Sequence, residues 1–282
     1  MTWKTLISPD ELARAIDHCV VVDCRHDLAD PAAGRTAYRA AHIPGARFVD
    51  MDGDLSAAKN GRNGRHPLPT QEAVRALLES LGLSDGGQLV VYDDASGGMA
   101  GRLWWMARWI GHDAAAVLDG GYRAWVAAGY PSSADRPSPQ PGRLTVRAAQ
   151  AVLVDAAETA RAAANAQRIV LDARSAERYR GEVEAIDPVA GHIPGALNRP
   201  WPSNLRPDGR FKPAAVLRAE FDALLAGRPA SGVVHQCGSG VSACHNVLAM
   251  VHAGLPATAL YGGSWSEWVA DPVRPVATGA NP

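Results

Sequence analysis

The stretch IVLDARSA, Ile169–Ala176, repeats the stretch VVVDCRHD, Val20–Asp27, and the pair decides how the chain is organised. In each, a β-branched run ends in an aspartate followed two residues later by arginine, the pattern of a buried strand running into a loop. Working outward, AHIPGAR in the first half answers GHIPGAL in the second, with Asp23 to Asp172 and His42 to His192 at nearly the same offset. Further on, LVVYDDASGG answers GVVHQCGSGV, and AVLDGGYRAW answers TALYGGSWSEW. Four landmarks in one order indicate duplication of a whole domain rather than a short solenoid repeat.

Each half begins with an amphipathic helix, predicted over Ser8 to Ile16 and Ala156 to Ala164. A strand ending in Asp and an irregular loop to HIPGA follow. A second helix comes next, over Gln71 to Leu81 and Ala214 to Leu225, then a buried strand, a helix, and a short strand before a GG turn. Alternating strands and helices predict an α/β fold in which each half is a parallel sheet covered by helices on both faces, with active groups at the carboxyl ends of the strands. The Pro- and Ser-rich stretch GYPSSADRPSPQPGRL reads as an extended connection. The domains are therefore expected at 1–133 and 144–282, with 134–143 as linker.

The chain has 282 residues, 47% of them hydrophobic, enough for two buried cores, and a formal net charge of −1. Long basic runs and acidic tails are lacking, so neither nucleic acid nor an anionic membrane surface is an expected partner. The N-terminal residues lack the basic start and apolar run of a leader, and no stretch approaches the roughly 18 apolar residues of a membrane span. A cytoplasmic location is the expectation. Four cysteines, Cys19, Cys24, Cys237 and Cys244, are too scattered for a disulfide scaffold and form no CxxC pair, so reduced thiols are expected.

HQCGSGVSACHN, His235–Asn246, reads as strand, tight loop and helix. Cys237 heads that loop. A loop curling into a helix N-terminus turns backbone N–H groups inward, and such a nest stabilises an anion on the sulfur. Gly238 and Gly240 permit the curl, while Val241, Ser242 and Ala243 begin the helix. The position matched to Cys237 in the first half is Asp94, which cannot carry sulfur, so that half is expected to be catalytically silent. Cys244, seven positions on, reads as a core residue with a redox partnership as the alternative, and Cys19 and Cys24 read as packing residues. The duplicated His42 and His192 read as turn residues, because only one half has a nucleophile. Trp104, Trp105, Trp125, Trp265 and Trp268 read as core or interface aromatics.

With Asp-x-Arg after the first strand, HIPGA in both halves and a cysteine loop in the second half alone, the chain resembles the rhodanese family of tandem-domain sulfurtransferases over essentially its whole length. CGSGVSA resembles the loop of the mercaptopyruvate-type members, in which glycine and serine follow the nucleophile, rather than that of the thiosulfate type, in which two basic residues do. The resemblance implies transfer of sulfur from 3-mercaptopyruvate to a thiol or cyanide through a persulfide on Cys237. The acceptor would be a thioredoxin-like protein, a low-molecular-weight thiol or cyanide. Thiosulfate as donor, or a non-catalytic persulfide carrier, are the alternatives. No cofactor and no metal are expected.

The resemblance also implies a relay of Ser239, His66 and Asp52, with Asp52 fixing the imidazole tautomer while the imidazole polarises the donor. It implies that Arg178 holds the donor anion, with Gly238, Gly240, Val241 and Ser242 completing the binding loop. A second arginine expected before GHIPG is absent, where Ala185 and Ile186 stand; Arg180 is the nearby candidate to replace it. A cysteine phosphatase is disfavoured because that chemistry needs an arginine closing the loop, and Ala243 occupies the position.

Overall fold

The computed structural model describes residues 2–282, which form two compact units. The first holds the chain up to Ala57, Pro69–Gln150 and Arg206–Phe211. In chain order it contains β1 (Leu6–Ile7), α1 (Pro9–Ala15), β2 (Cys19–Asp23), α2 (Ala33–Ala40), β3 (Arg47–Phe48), α3 (Gln71–Ser80), β4 (Gln88–Tyr92), α4 (Ala100–Trp109), β5 (Ala115–Leu118) and α5 (Gly121–Ala127). The strands form one sheet in the order β1-β5-β4-β2-β3, parallel throughout.

The second unit repeats the plan in Ala58–Leu68, Ala151–Leu205 and Lys212–Pro282. It contains β6 (Val152–Val154), α6 (Ala156–Ala163), β7 (Ile169–Asp172), α7 (Ala176–Arg180), β8 (Leu197–Asn198), α8 (Ala214–Leu225), β9 (Val233–Gln236), α9 (Ala243–His252), β10 (Ala259–Tyr261) and α10 (Ser264–Trp268). Its sheet order is β6-β10-β9-β7-β8, again parallel and again flanked by helices. The α/β tandem architecture is the one the repeat predicts.

The local chemistry explains the elements. QLVVY of β4 and VVHQ of β9 are buried at every position, as central parallel strands are. Ser8 and Glu11 close a capping box at the start of α1, and the Asp155 side chain accepts the Glu158 N–H to start α6. The five tryptophans named above are all buried, as core residues. His42 stacks on Tyr38 and His192 on Tyr179, each with Nδ1 at the tyrosine carbonyl, 2.7 and 2.8 Å, so HIPGA is a buried turn in both units. Arg25 and Arg174 repeat one task as well. Each binds its own strand-end aspartate, Asp23 or Asp172, and donates to a backbone carbonyl just before HIPGA, that of Ala41 or Gly191.

A single cut at 134–143 does not describe the compact units. That stretch lies along the first one, where Gly142 N–H donates to the Glu79 carbonyl at 2.7 Å and a Cβ on Gly142 would meet the Leu83 carbonyl oxygen at 2.0 Å. The segment carrying His66 groups with the second unit rather than the first, anchored there by Arg65 N–H on Ser266 Oγ at 2.9 Å. Hydrogen bonds made far along the chain override the order of the sequence.

Candidate active site

Strand β9 delivers Cys237 to the carboxyl edge of the second sheet, and α9 begins six residues later at Ala243 with Ser242 as its cap. Val241 and Ser242 are therefore in the turn before the helix, not in its first turn as the sequence suggested. Carbonyls of Val241 and Ser242 accept from Cys244 and His245 N–H groups, the tight bonds of a helix start. Behind the loop, Asn204 donates to Asn246 Oδ1 at 2.6 Å and Asn246 donates to the Arg199 carbonyl at 3.0 Å, which fixes α9 through buried polar groups.

The loop is held open to the sulfur by its neighbours. The N–H groups of Trp265 and Ser266 take the carbonyls of Cys237 and Gly238, at 3.0 and 2.9 Å, and the Cys237 N–H donates to Ser264 Oγ at 3.1 Å. With those groups occupied, the Gly240 N–H is turned inward and lies 3.1 Å from Cys237 Sγ. Cys237 is 2% exposed. Gly240 sits at φ +77°, and a Cβ there would come 2.2 Å from the Gly262 carbonyl oxygen, so both conformation and close approach require glycine.

His66 Nδ1 lies 2.8 Å from Ser239 Oγ, both groups buried. This pairing is internal to the second unit. Asp52 is half-buried in the first unit, where its N–H donates to Asp50 Oδ1 at 3.0 Å. Arg178 donates to Glu184 at 2.7 Å and to Asp187 Oδ2 at 3.0 Å. Arg180 instead pairs with Glu182 at the surface, 2.7 Å. Sequence reasoning missed Arg65, Asp187, Glu184 and Ser264. GGSWSEW is one residue longer than GGYRAW, a signal that could have marked Ser264.

The register corrects the matched position in the first unit. Asp23 faces Tyr92 and Asp172 faces Gln236, so Cys237 corresponds to Asp93 rather than Asp94. Residue types alone pair the two loops one position out of register. The Asp93 carboxylate accepts N–H groups of Ala95, Gly97, Met99 and Ala100 at 2.7 to 2.9 Å. Burial pushes its carboxyl up and these donors pull it down, with burial the larger effect. The first unit thus fills its own anion nest with a side chain.

Burial works against ionisation at two of the other thiols. Burial, then the Asp23 charge, holds the Cys24 thiol well above the usual thiol range, and burial raises that of Cys19. Cys244 Sγ donates to the Gly240 carbonyl at 3.3 Å from within the core.

The rhodanese-like domain model matches residues 8–128 and 155–271, one segment in each half. The chain belongs to the rhodanese family. Its relatives include a probable 3-mercaptopyruvate sulfurtransferase of Pseudomonas aeruginosa, 46% identical over 99% of this chain and all of that protein. A thiosulfate sulfurtransferase of Rattus norvegicus is 32% identical over 94% of this chain and 92% of its own. Among solved structures, SseA of Escherichia coli, described as a 3-mercaptopyruvate sulfotransferase with the rhodanese fold, is 31% identical. It superposes at TM-score 0.78 over 95% of this chain and all of its own. In this rhodanese the cysteine loop is complete in one unit and closed by Asp93 in the other.

Proposed function

We propose that this rhodanese is a 3-mercaptopyruvate sulfurtransferase working through a Cys237 persulfide. The Cys237 thiolate attacks the donor sulfur, a sulfur–sulfur bond forms, and the carbon–sulfur bond breaks with its electron pair remaining on carbon as pyruvate enolate. The thiol proton of the donor ends on that carbon to give pyruvate, and an acceptor thiol or cyanide then removes the outer sulfur. The Gly240 N–H stabilises the sulfur anion before attack and after sulfur transfer.

The observation that carries the donor assignment is the Ser239–His66 hydrogen bond in the loop directly after the nucleophile. A leaving enolate needs a proton or hydrogen bond, and Ser239 with His66 is built to supply one. Gly238, Gly240, Val241 and Ser242 supply the backbone of the donor site and Arg178 its charge. A guanidinium receives a sulfonate-like group as well as a carboxylate, which keeps thiosulfate as the second donor. The acceptor is proposed to be a thiol, in a reducing cytoplasm suited to four free cysteines. No helix among the described residues is long and apolar enough to cross a membrane.

Steady-state rates with 3-mercaptopyruvate and thiosulfate, measured with one common acceptor, test the assignment; faster turnover with thiosulfate contradicts it. Ser239→Ala and His66→Ala are each expected to slow persulfide formation from 3-mercaptopyruvate by about 10²-fold, and the double variant by little more, because the two groups act as a unit. Thiosulfate, which releases sulfite without needing a proton, should be affected far less. Equal losses with both donors would remove the relay.

Gly238→Lys is expected to move preference toward thiosulfate, since an added cation favours departing sulfite. A Cβ at 238 comes within 2.9 Å of Arg65 Nη2, so the new side chain also displaces that guanidinium and 3-mercaptopyruvate turnover falls. An unchanged ratio of kcat/KM values would contradict this.

A further inference from the structure

The loop contains no basic residue, yet two guanidinium groups stand over it. Arg65 Nη2 lies 2.9 Å from where a Cβ on Gly238 would be, and Arg178 Nη1 lies 3.5 Å from the same point. One carboxylate orients both. Asp187, whose side chain is only 3% exposed, accepts Arg65 Nη1 on Oδ1 at 2.6 Å and Arg178 Nη2 on Oδ2 at 3.0 Å. Glu184 supports the arrangement by accepting from Arg178 and from the backbone N–H groups of Ile186 and Asp187. With no side chain at Gly238, both guanidinium groups reach the cysteine loop, where a Cβ would collide with Arg65 Nη2.

Donor capacity is left over in this cluster. Arg65 Nε and Arg174 Nη1 are buried with no hydrogen-bond partner among the described residues, although buried guanidinium nitrogens are normally satisfied. Arg174 Nη1 faces Glu184 Oε2 at 3.6 Å, beyond hydrogen-bond distance. Meanwhile Ile186, which stands where an arginine was expected before GHIPG, is 45% exposed and carries no charge.

We propose that Arg65, aimed by Asp187, is the second cation of the donor site, binding with Arg178 the carboxylate of an α-keto thiol over Gly238. Arg65 thereby replaces, from a distant segment of sequence, the arginine absent at 185–186. This rests on the donor reading above. Arg178 keeps Nε and Nη2 on Glu184 and Asp187 and Arg65 keeps Nη1 on Asp187, so Arg178 Nη1 and Arg65 Nη2 face the anion and place the keto thiol with its sulfur toward Cys237. Asp187 is a positioning residue, acting through both arginines.

The test compares 3-mercaptopyruvate with mercaptoacetone, the same keto thiol with methyl in place of carboxylate, on wild type, Arg65→Gln and Arg65→Lys. Arg65→Gln is expected to lower kcat/KM for 3-mercaptopyruvate by about 30-fold or more, mainly through KM, and that for mercaptoacetone much less. Arg65→Lys, which keeps the charge without the fork, should recover part of the loss. Equal loss on both donors in Arg65→Gln, or no loss on either, overturns the role of Arg65 while leaving the donor assignment intact. A wild type that turns over thiosulfate but not 3-mercaptopyruvate overturns the donor assignment, and this inference with it.

Discussion

Cys237→Ser is expected to abolish turnover with every donor, a loss of at least about 10⁴-fold, while leaving the fold unchanged. A serine hydroxyl fills nearly the same volume beside the Gly240 N–H, so the loop keeps its hydrogen bonds. The oxygen, however, stays protonated at neutral pH and forms no stable bond to transferred sulfur, so the covalent intermediate is lost altogether. The three remaining thiols cannot substitute. Cys19 and Cys24 belong to the first unit, with burial working against their ionisation, and Cys244 is fully buried behind the loop. Steady-state rates with both donors, alongside circular dichroism to confirm folding, check this. Turnover within tenfold of wild type would mean that another group carries the sulfur.

Gly240→Ala should come next in size, and for a different reason. The residue sits at φ +77°, a conformation that costs an ordinary residue about 1–3 kcal/mol, and its Cβ would be driven to 2.2 Å from the Gly262 carbonyl oxygen. Backbone cannot yield as a flexible side chain can, so the loop must shift. That shift moves the Gly240 N–H away from Sγ and disturbs Ser239 opposite His66. Activity is expected to fall by about 10²-fold or more, with a loss of stability of roughly 2–4 kcal/mol visible as a lowered Tm. Gly254→Ala is the control, because that glycine also has positive φ, at +77°, but nothing stands within 4 Å of its Cβ. Equal effects at 240 and 254 would show that the close approach does not matter.

How far the sequence could be read follows from which contacts are local. The strand-end aspartates, the HIPGA turns and the cysteine loop each declare themselves within eight or so residues, so the duplication and the parallel α/β plan were legible. His66 and Ser239 lie 173 positions apart, and only the family resemblance joined them. Arg65 was invisible as a site residue because nothing near GRHPLP shows that it will stand over Gly238. The loop before GHIPG itself offers only Ala185 and Ile186 at that position. The one-residue error at Asp94 has the same root. Residue types aligned the two loops, whereas strand register, which the sequence does not print, puts Asp93 opposite Cys237.

The grouping of the segments shows the same limit. A stretch rich in proline and serine reads as a free connection, yet residues around Gly142 are tied to Glu79 and Asp85 by backbone bonds. Composition reports that such a stretch avoids helix and strand; it does not report what the backbone bonds to instead.

The central claim is that sulfur passes through Cys237. Peptide mass spectrometry after incubation with 3-mercaptopyruvate, without acceptor, tests it directly. The account predicts one added sulfur atom on the peptide containing Cys237, removed when cyanide or a thiol is supplied. An added sulfur on Cys19, Cys24 or Cys244 with Cys237 unmodified would contradict it.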